Sequence, residues 1–147
     1  VIHAPSIFTA ISETGLSLYR FGKTTSIVIR EKGFAPESFF DVLMENQNID
    51  AHTLFLLDLK PHENKFLKIP EAIETLLAIN DKRKENMFTK DTLVIGCARL
   101  GSEDSLIKSG KASDIMKADF GKPPFCLIVP AKLNHKEEEF INSLAIK

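Results

Sequence analysis

Three nearly continuous apolar runs constrain most strongly what this chain can fold into. They occupy residues 52–59, 92–98 and 125–130, and each is rich in leucine, isoleucine, valine or phenylalanine. Runs of this length are typical of β-strands that are covered on both faces. Segments with helical apolar spacing separate or follow them: "ESFFDVLMENQNID", "PEAIETLLAINDKRKEN" and "NHKEEEFINSLA". The alternation predicts an α/β layered domain.

Composition narrows the function classes. The chain has 147 residues, 44% of them hydrophobic, which is enough for one domain or for two small lobes. Its net charge is −1 and its basic residues are scattered, so neither nucleic acid nor an anionic membrane is expected as a partner. No apolar run approaches the roughly 20 residues of a membrane-spanning helix. Cys97 and Cys126 lie within apolar runs and are predicted to be free, buried thiols of a cytoplasmic protein.

Polar or small residues follow the ends of several predicted strands. Apolar runs finish at Pro5–Ser6, at Leu57–Asp58, and at the loop from Ala98 to Ser102. In open α/β sheets, ligands bind in the crevice beyond the carboxyl ends of the strands. Apolar walls with a few backbone hydrogen-bond groups suit a flat aromatic ligand such as adenine. The sequence contains no recognisable serine, histidine and acid arrangement, so a binding site without an acid–base pair is predicted.

Four local features predict structural roles for individual residues or short segments. Arg99 either holds its own loop through a salt bridge or meets a neighbouring loop or a partner. Asp58 is predicted to cap a loop rather than to face a cleft. The acidic run 137–139 is predicted to be the solvated first turn of the last helix, where carboxylates suit the helix dipole. Ser113 is predicted to cap a short helix over 113–120.

Several segments together carry a resemblance to a known family. They are "HAPSIFTAISETGLSLYRFGK", "TLFLLDLK", "TLVIGCARLGSED", "IKSG" and "DFGKPPFCLIVPAKL". They resemble the diphthine synthase family, which belongs to the tetrapyrrole-methylase-like class of S-adenosylmethionine methyltransferases. The resemblance implies the mixed-sheet carboxyl-terminal α/β domain of a two-domain enzyme. Residues 1–21 would be the tail of the preceding, donor-binding domain, and residues 22–147 the carboxyl-terminal domain.

The resemblance also implies a ligand and the residues that contact it. S-adenosyl-L-methionine would lie in a cleft between the two domains, with contacts on Ser6, Ile7, Leu57, Leu100 and Phe125. Phe125 departs from the histidine that is more usual there, which matters little if its backbone makes the contact. No catalytic residue and no metal are implied.

The implied substrate is elongation factor 2, at a histidine already extended by an aminocarboxypropyl group whose amine is methylated repeatedly. A homodimer is also implied. Two alternatives stay open: a tetrapyrrole or ribosomal RNA methyltransferase of the same class, and a non-catalytic docking or dimerisation module. If the chain is the carboxyl-terminal part of a longer enzyme, it should be inactive alone and bind the methyl donor weakly or not at all.

Overall fold

A mixed five-stranded sheet organises the computed structural model, which describes residues 14, 16, 20–28, 37–60, 63 and 65–144. The strands are β1 (Thr25–Ile27), β2 (Thr53–Leu57), β5 (Leu93–Ala98), β6 (Leu106–Lys111) and β7 (Phe125–Val129). Their order across the sheet is β1-β2-β7-β5-β6. β1 and β2 are parallel, and every other neighbouring pair is antiparallel. A small hairpin of β3 (Leu59–Lys60) and β4 (Lys65–Phe66) follows β2.

This topology brings several strand ends together. β1, β2 and β5 run in one direction, while β7 runs the opposite way between β2 and β5. The carboxyl ends of β1, β2 and β5 therefore lie beside the amino end of β7. We call this the Leu57 end of the sheet; it is marked by Ile27, Leu57, Ala98 and Phe125.

Helices cover the sheet unequally. They are α1 (Ser38–Asn48), α2 (Ile69–Arg83), α3 (Ala112–Ile115) and α4 (His135–Ser143). Buried side chains of α1, α2 and α3 pack with one face of the sheet to form the larger core. On the other face a smaller cluster includes Ile141 of α4, Leu16 and the two free cysteines. Cys97 and Cys126 are opposite each other on β5 and β7, and both are buried as predicted.

Local sequence explains where α2 begins and ends and where α4 begins. Pro70 lies in the first turn of α2, and the Glu71 carboxylate accepts the backbone N–H of Lys68 at 3.1 Å. The helix stops at Lys84, which adopts a left-handed conformation with φ 55°. At the start of α4, Asn134 and Glu137 cap each other's backbone N–H groups at 2.8 and 3.1 Å.

Two sequence predictions need correction, and one alternative is decided. The sequence of residues 105–112 leaves a short strand or a turn open, and the structure shows a strand, the six-residue edge strand β6. The sequence "KPHENKFLKI" (60–69) predicts a connecting loop, but the segment contains part of the β3–β4 hairpin. Ser113 does not cap a helix, because α3 continues directly from β6 after Lys111 and Ser113 lies inside it. Apolar spacing at Ile7, Ala10 and Ile11 also predicts a helix from residue 6 onward, and this segment falls mostly outside the described residues.

The expected α/β class with a mixed sheet is confirmed. Among the described residues, no helix combines the length and the apolar character needed to cross a membrane.

Candidate functional site

Three of the five predicted methyl-donor contacts can be located, and all three lie at the Leu57 end of the sheet. Leu57 is the last residue of β2, Phe125 is the first residue of β7, and Leu100 lies two residues beyond β5. The strand register pairs Leu56 with Cys126 and Ala98 with Phe125. The remaining two, Ser6 and Ile7, lie outside the described residues.

The three residues do not share one face of the sheet. Leu57 and Phe125 are each 8% exposed and belong to the larger core. Leu100 is partly buried against the smaller cluster on the opposite face. A ligand that touches all three must therefore lie across the end of the sheet rather than on either face.

Arg99 holds the loop that leads into β7. Its guanidinium donates from Nη1 to the carbonyl of Phe120 at 2.9 Å and also to the carbonyl of Lys122. Its Nε pairs with the Asp104 carboxylate at 3.0 Å, and its side chain is only 16% exposed. The backbone N–H of Arg99 donates to Pro124 at 2.8 Å. Both contacts that the sequence left open for Arg99 are therefore present: the ion pair with Asp104 holds its own loop, and the bonds to Phe120 and Lys122 reach a neighbouring loop.

Loop 118–121, which Arg99 secures, forms one wall of a cavity of about 390 Å³. We call it the aromatic cavity, because the rings of Phe66, Phe120 and Phe125 line it. Phe66 and Phe125 are in ring contact, with centroids 5.9 Å apart. Lys68, at the start of α2, and Asp119, in the loop, add one positive and one negative side chain to its lining. A volume of this size lies within the range of small-molecule sites.

The Phe120 ring reaches its place because β5 leaves room for it. A Cβ added at Gly96 would lie 2.5 Å from Cζ of Phe120, far closer than any ordinary contact. The ammonium of Lys108, which pairs with Gly96 across β5 and β6, lies 5.7 Å from the Phe120 ring centroid. One face of this ring therefore already contacts a cation.

A buried ionic network lies at the other end of β2, and it corrects one sequence prediction. Glu137 was expected to be solvated, but it is only 1% exposed. Its Oε1 lies 2.6 Å from Nη1 of Arg20, and its Oε2 lies 2.9 Å from Nε2 of His52. Glu138 and Glu139 are exposed as expected. The network ties Arg20, which precedes β1, to the last helix.

The ring of His52 is held neutral. Its Nδ1 accepts the backbone N–H of Ala131 at 2.9 Å, so Nε2 carries the proton and donates it to Glu137. Burial lowers the pKa of His52 below its usual value and outweighs the opposing effect of Glu137. The His52 ring is buried just before the start of β2, at the opposite end of that strand from Leu57. The network therefore has a structural role.

The described residues suit the neutral and aromatic parts of a methyl donor. Buried apolar side chains end β2 and begin β7, and Phe125 adds an aromatic ring. Within the described part of the chain, no group of three metal-ligating side chains is found. Asp58, predicted to cap a loop, bonds through its backbone to Ile27 and Leu67 at 3.0 and 2.9 Å.

Sequence inspection missed Phe66 and Phe120 as site residues. Phe66 ends the two-residue strand β4, which lies in a segment without a strand-like sequence pattern, and Phe120 lies in the loop between α3 and β7. The capping role of Glu137 carried a local signal, since an Asn-x-x-Glu spacing before a helix indicates reciprocal capping, but its contacts with Arg20 and His52 did not.

Comparison with known proteins finds relatives that are named diphthine synthases. A diphthine synthase from Methanococcus aeolicus is 44% identical over 144 residues, which is 98% of this chain and 56% of the relative. The crystal structure of a proposed diphthine synthase from Entamoeba histolytica superposes with a TM-score of 0.93 at 35% identity, covering 100% of this chain and 60% of that one. A second diphthine synthase crystal structure gives a TM-score of 0.78 at 36% identity, covering 98% and 53%. No protein-family model matches.

The chain therefore spans about half the length of the curated relatives it matches. The resemblance inferred from its motifs is confirmed by these relatives, which match this chain with the carboxyl-terminal portion of their own sequences.

Proposed function

We propose that this chain, a homologue of the diphthine synthases, forms the carboxyl-terminal domain of an S-adenosyl-L-methionine-dependent N-methyltransferase of diphthamide biosynthesis. The observation that carries the proposal is the convergence of Leu57, Leu100 and Phe125 on one end of the sheet. The resemblance implies those residues as methyl-donor contacts. The fold supports the proposal, because the antiparallel pairing of β2 and β7 sets the end of β2 beside the start of β7, and Leu100 follows β5 at the same end. We keep the division at residues 21 and 22 as the domain boundary.

The chemistry asks little acid–base work of the protein, which fits a site without a catalytic pair. S-adenosyl-L-methionine supplies a methyl group on a positively charged sulfur, a good leaving group. The acceptor nitrogen forms a bond to the methyl carbon through its lone pair, while the carbon–sulfur bond breaks and its electrons remain on sulfur. A primary or secondary amine then releases a proton to water after each transfer.

An ordinary α-amine has a pKa of about 8, so roughly a tenth of it is neutral at pH 7. A strong base is therefore unnecessary, and alignment of the reacting atoms supplies most of the acceleration. Leu57 and Phe125 contribute apolar surface that keeps water from the reacting centre. Leu100 on the opposite face would hold the same ligand from its other side.

The proposed protein substrate is elongation factor 2, at its aminocarboxypropyl-modified histidine. We propose a homodimer in the cytoplasm as the working form. Ser6 and Ile7 complete the proposed set of methyl-donor contacts.

The test uses the protein expressed from the complete reading frame. It is incubated with labelled S-adenosyl-L-methionine and with elongation factor 2 that carries the unmethylated intermediate, and the histidine peptide is weighed by mass spectrometry. Mass gains in steps of one methyl group, absent with unmodified elongation factor 2, are expected. If the protein binds the methyl donor but the mass of the histidine peptide does not increase, the methyltransferase class would stand and elongation factor 2 would be rejected as the substrate.

A further inference from the structure

The aromatic cavity adjoins the proposed methyl-donor site without coinciding with it. Of the three described methyl-donor residues, Phe125 lines the cavity, whereas Leu57 and Leu100 are absent from its lining. A second substrate bound there would share the Phe125 wall with the methyl donor. Methyl transfer requires this kind of arrangement, because the two reacting atoms must come within about 3–3.5 Å.

The lining of the cavity indicates the chemistry of that second substrate. Its aromatic rings suit an aliphatic chain and a methylated ammonium, which binds favourably over ring faces. Its two charged residues have opposite signs, as a zwitterionic amino-acid head group requires.

Both charges are available to a ligand. Lys68 is exposed, and its ammonium has no ion-pair partner in the described part of the chain. Asp119 is exposed, and its Oδ1 accepts the backbone N–H of Gly121 at 2.9 Å, which leaves its other oxygen to face a cation.

We propose that the aromatic cavity is the acceptor site and binds the aminocarboxypropyl group of the modified histidine. Lys68 faces the carboxylate of that group and Asp119 faces its amine. The rings of Phe66 and Phe125 contact the nitrogen as methyl groups accumulate, and the buried Phe120 closes the wall. Arg99 is a positioning residue in this arrangement, because it fixes the loop that carries Asp119 and Phe120. The inference rests on the proposed function and assigns the half of the site that the methyl donor does not occupy.

The first test reverses the charge at Lys68 in the complete protein. Lys68→Glu is compared with Lys90→Glu, an exposed lysine that lines a separate cavity near the far end of α2. Losing a charge-assisted hydrogen bond and adding a repulsive carboxylate should raise the KM for modified elongation factor 2 about tenfold or more. The dissociation constant for S-adenosylhomocysteine, measured by calorimetry, should change less than about twofold, and the Lys90 variant should leave both constants unchanged.

The second test fills the cavity. Ala118→Leu adds a side chain to its lining, and Leu77→Phe enlarges the lining of the separate cavity as the matched control. The first variant should lose methyl transfer at subsaturating acceptor while retaining S-adenosylhomocysteine binding, and the second should retain both.

The outcomes separate the two proposals. If the unsubstituted protein transfers methyl groups but both cavity variants keep the original KM, the acceptor assignment is wrong and the proposed function stands. Loss of S-adenosylhomocysteine binding in the Lys68 variant would assign the cavity to the methyl donor and also overturn the inference. If the unsubstituted protein binds the methyl donor and transfers nothing to modified elongation factor 2, the proposed function fails first.

Discussion

Removing the carboxylate of Glu137 should destabilise the domain far more than removing the exposed carboxylate of its neighbour Glu138. Glu137→Ala deletes the acceptor for Arg20 at 2.6 Å, for His52 at 2.9 Å and for the backbone N–H of Asn134 at 3.1 Å. Breaking a buried ionic pair by removing one partner costs about 3–5 kcal/mol. Arg20 is 18% exposed and can recover some hydration, so we expect a loss of free energy of unfolding near the lower limit, about 3 kcal/mol.

The isosteric variant sharpens this prediction. Glu137→Gln keeps the shape of the side chain but leaves one acceptor oxygen where the carboxylate had two. One oxygen faces Arg20 and the other faces His52, so either orientation of the amide sets its NH₂ group against a donor. His52 cannot resolve the conflict by changing tautomer, because Ala131 already donates to its Nδ1. We expect a loss of about 1–3 kcal/mol, the cost of an unsatisfied buried polar group.

Urea unfolding of the complete protein, followed by circular dichroism, measures both changes. With a slope of about 2 kcal/mol per molar urea, the alanine variant should lower the midpoint of this domain by about 1.5 M. Glu138→Ala removes an exposed carboxylate from the same helical turn and should change stability by less than about 1 kcal/mol. Equal midpoints for the Glu137 and Glu138 variants would refute the assignment of Glu137 to a buried ionic network.

Three further predictions test other parts of the structure. His52 is neutral when folded and its pKa lies below the unfolded value, so acid favours the unfolded state. Stability should therefore fall as pH drops below about 6.5, by at most about 1.4 kcal/mol per pH unit from this group, and His52→Gln should flatten that part of a melting-temperature profile. Gly96→Ala should cost about 1–3 kcal/mol because its Cβ meets Phe120 at 2.5 Å, whereas at Gly110 the nearest atom lies at an ordinary 3.7 Å and alanine should be tolerated in the same denaturation assay. Arg99 has φ 53°, so Arg99→Gly should be more stable than Arg99→Ala by about 1 kcal/mol, although both lose the contacts to the loop.

The parts of the fold that the sequence predicted well are those with local causes. Helix α2 has apolar residues at helical spacing along one face. A proline and a capping carboxylate mark its start, and both lie within its first turn. The strands β2, β5 and β7 are continuous apolar runs because both of their faces are covered. Their order and direction then place the predicted strand-end residues together.

The parts that escaped prediction depend on contacts distant in sequence. Glu137 can be buried because its carboxylate contacts Arg20 and His52. These partners lie 117 and 85 residues earlier in the chain, and an acidic run alone carries no sign of them. β6 is an edge strand that contains Lys108, Ser109 and Gly110, so it lacks the apolar pattern of the inner strands. Ser109 is nevertheless buried and donates to the carbonyl of Ile141 at 2.7 Å.

The two most distinctive motifs of the chain, "ARLGSED" and "DFGKPP", have a common physical reason. β5 and β7 are antiparallel neighbours, so the loop that leaves β5 lies beside the loop that enters β7. The left-handed backbone of Arg99 directs its guanidinium at the carbonyls of Phe120 and Lys122, while Asp104 from the first motif pairs with its Nε. A lysine has one ammonium and cannot bind these separated acceptors in fixed planar geometry. Arginine therefore suits this position because it binds several carbonyls of the neighbouring loop at once. Arg99 would affect the proposed chemistry indirectly, by fixing the positions of Phe120 and Phe125 in the cavity wall.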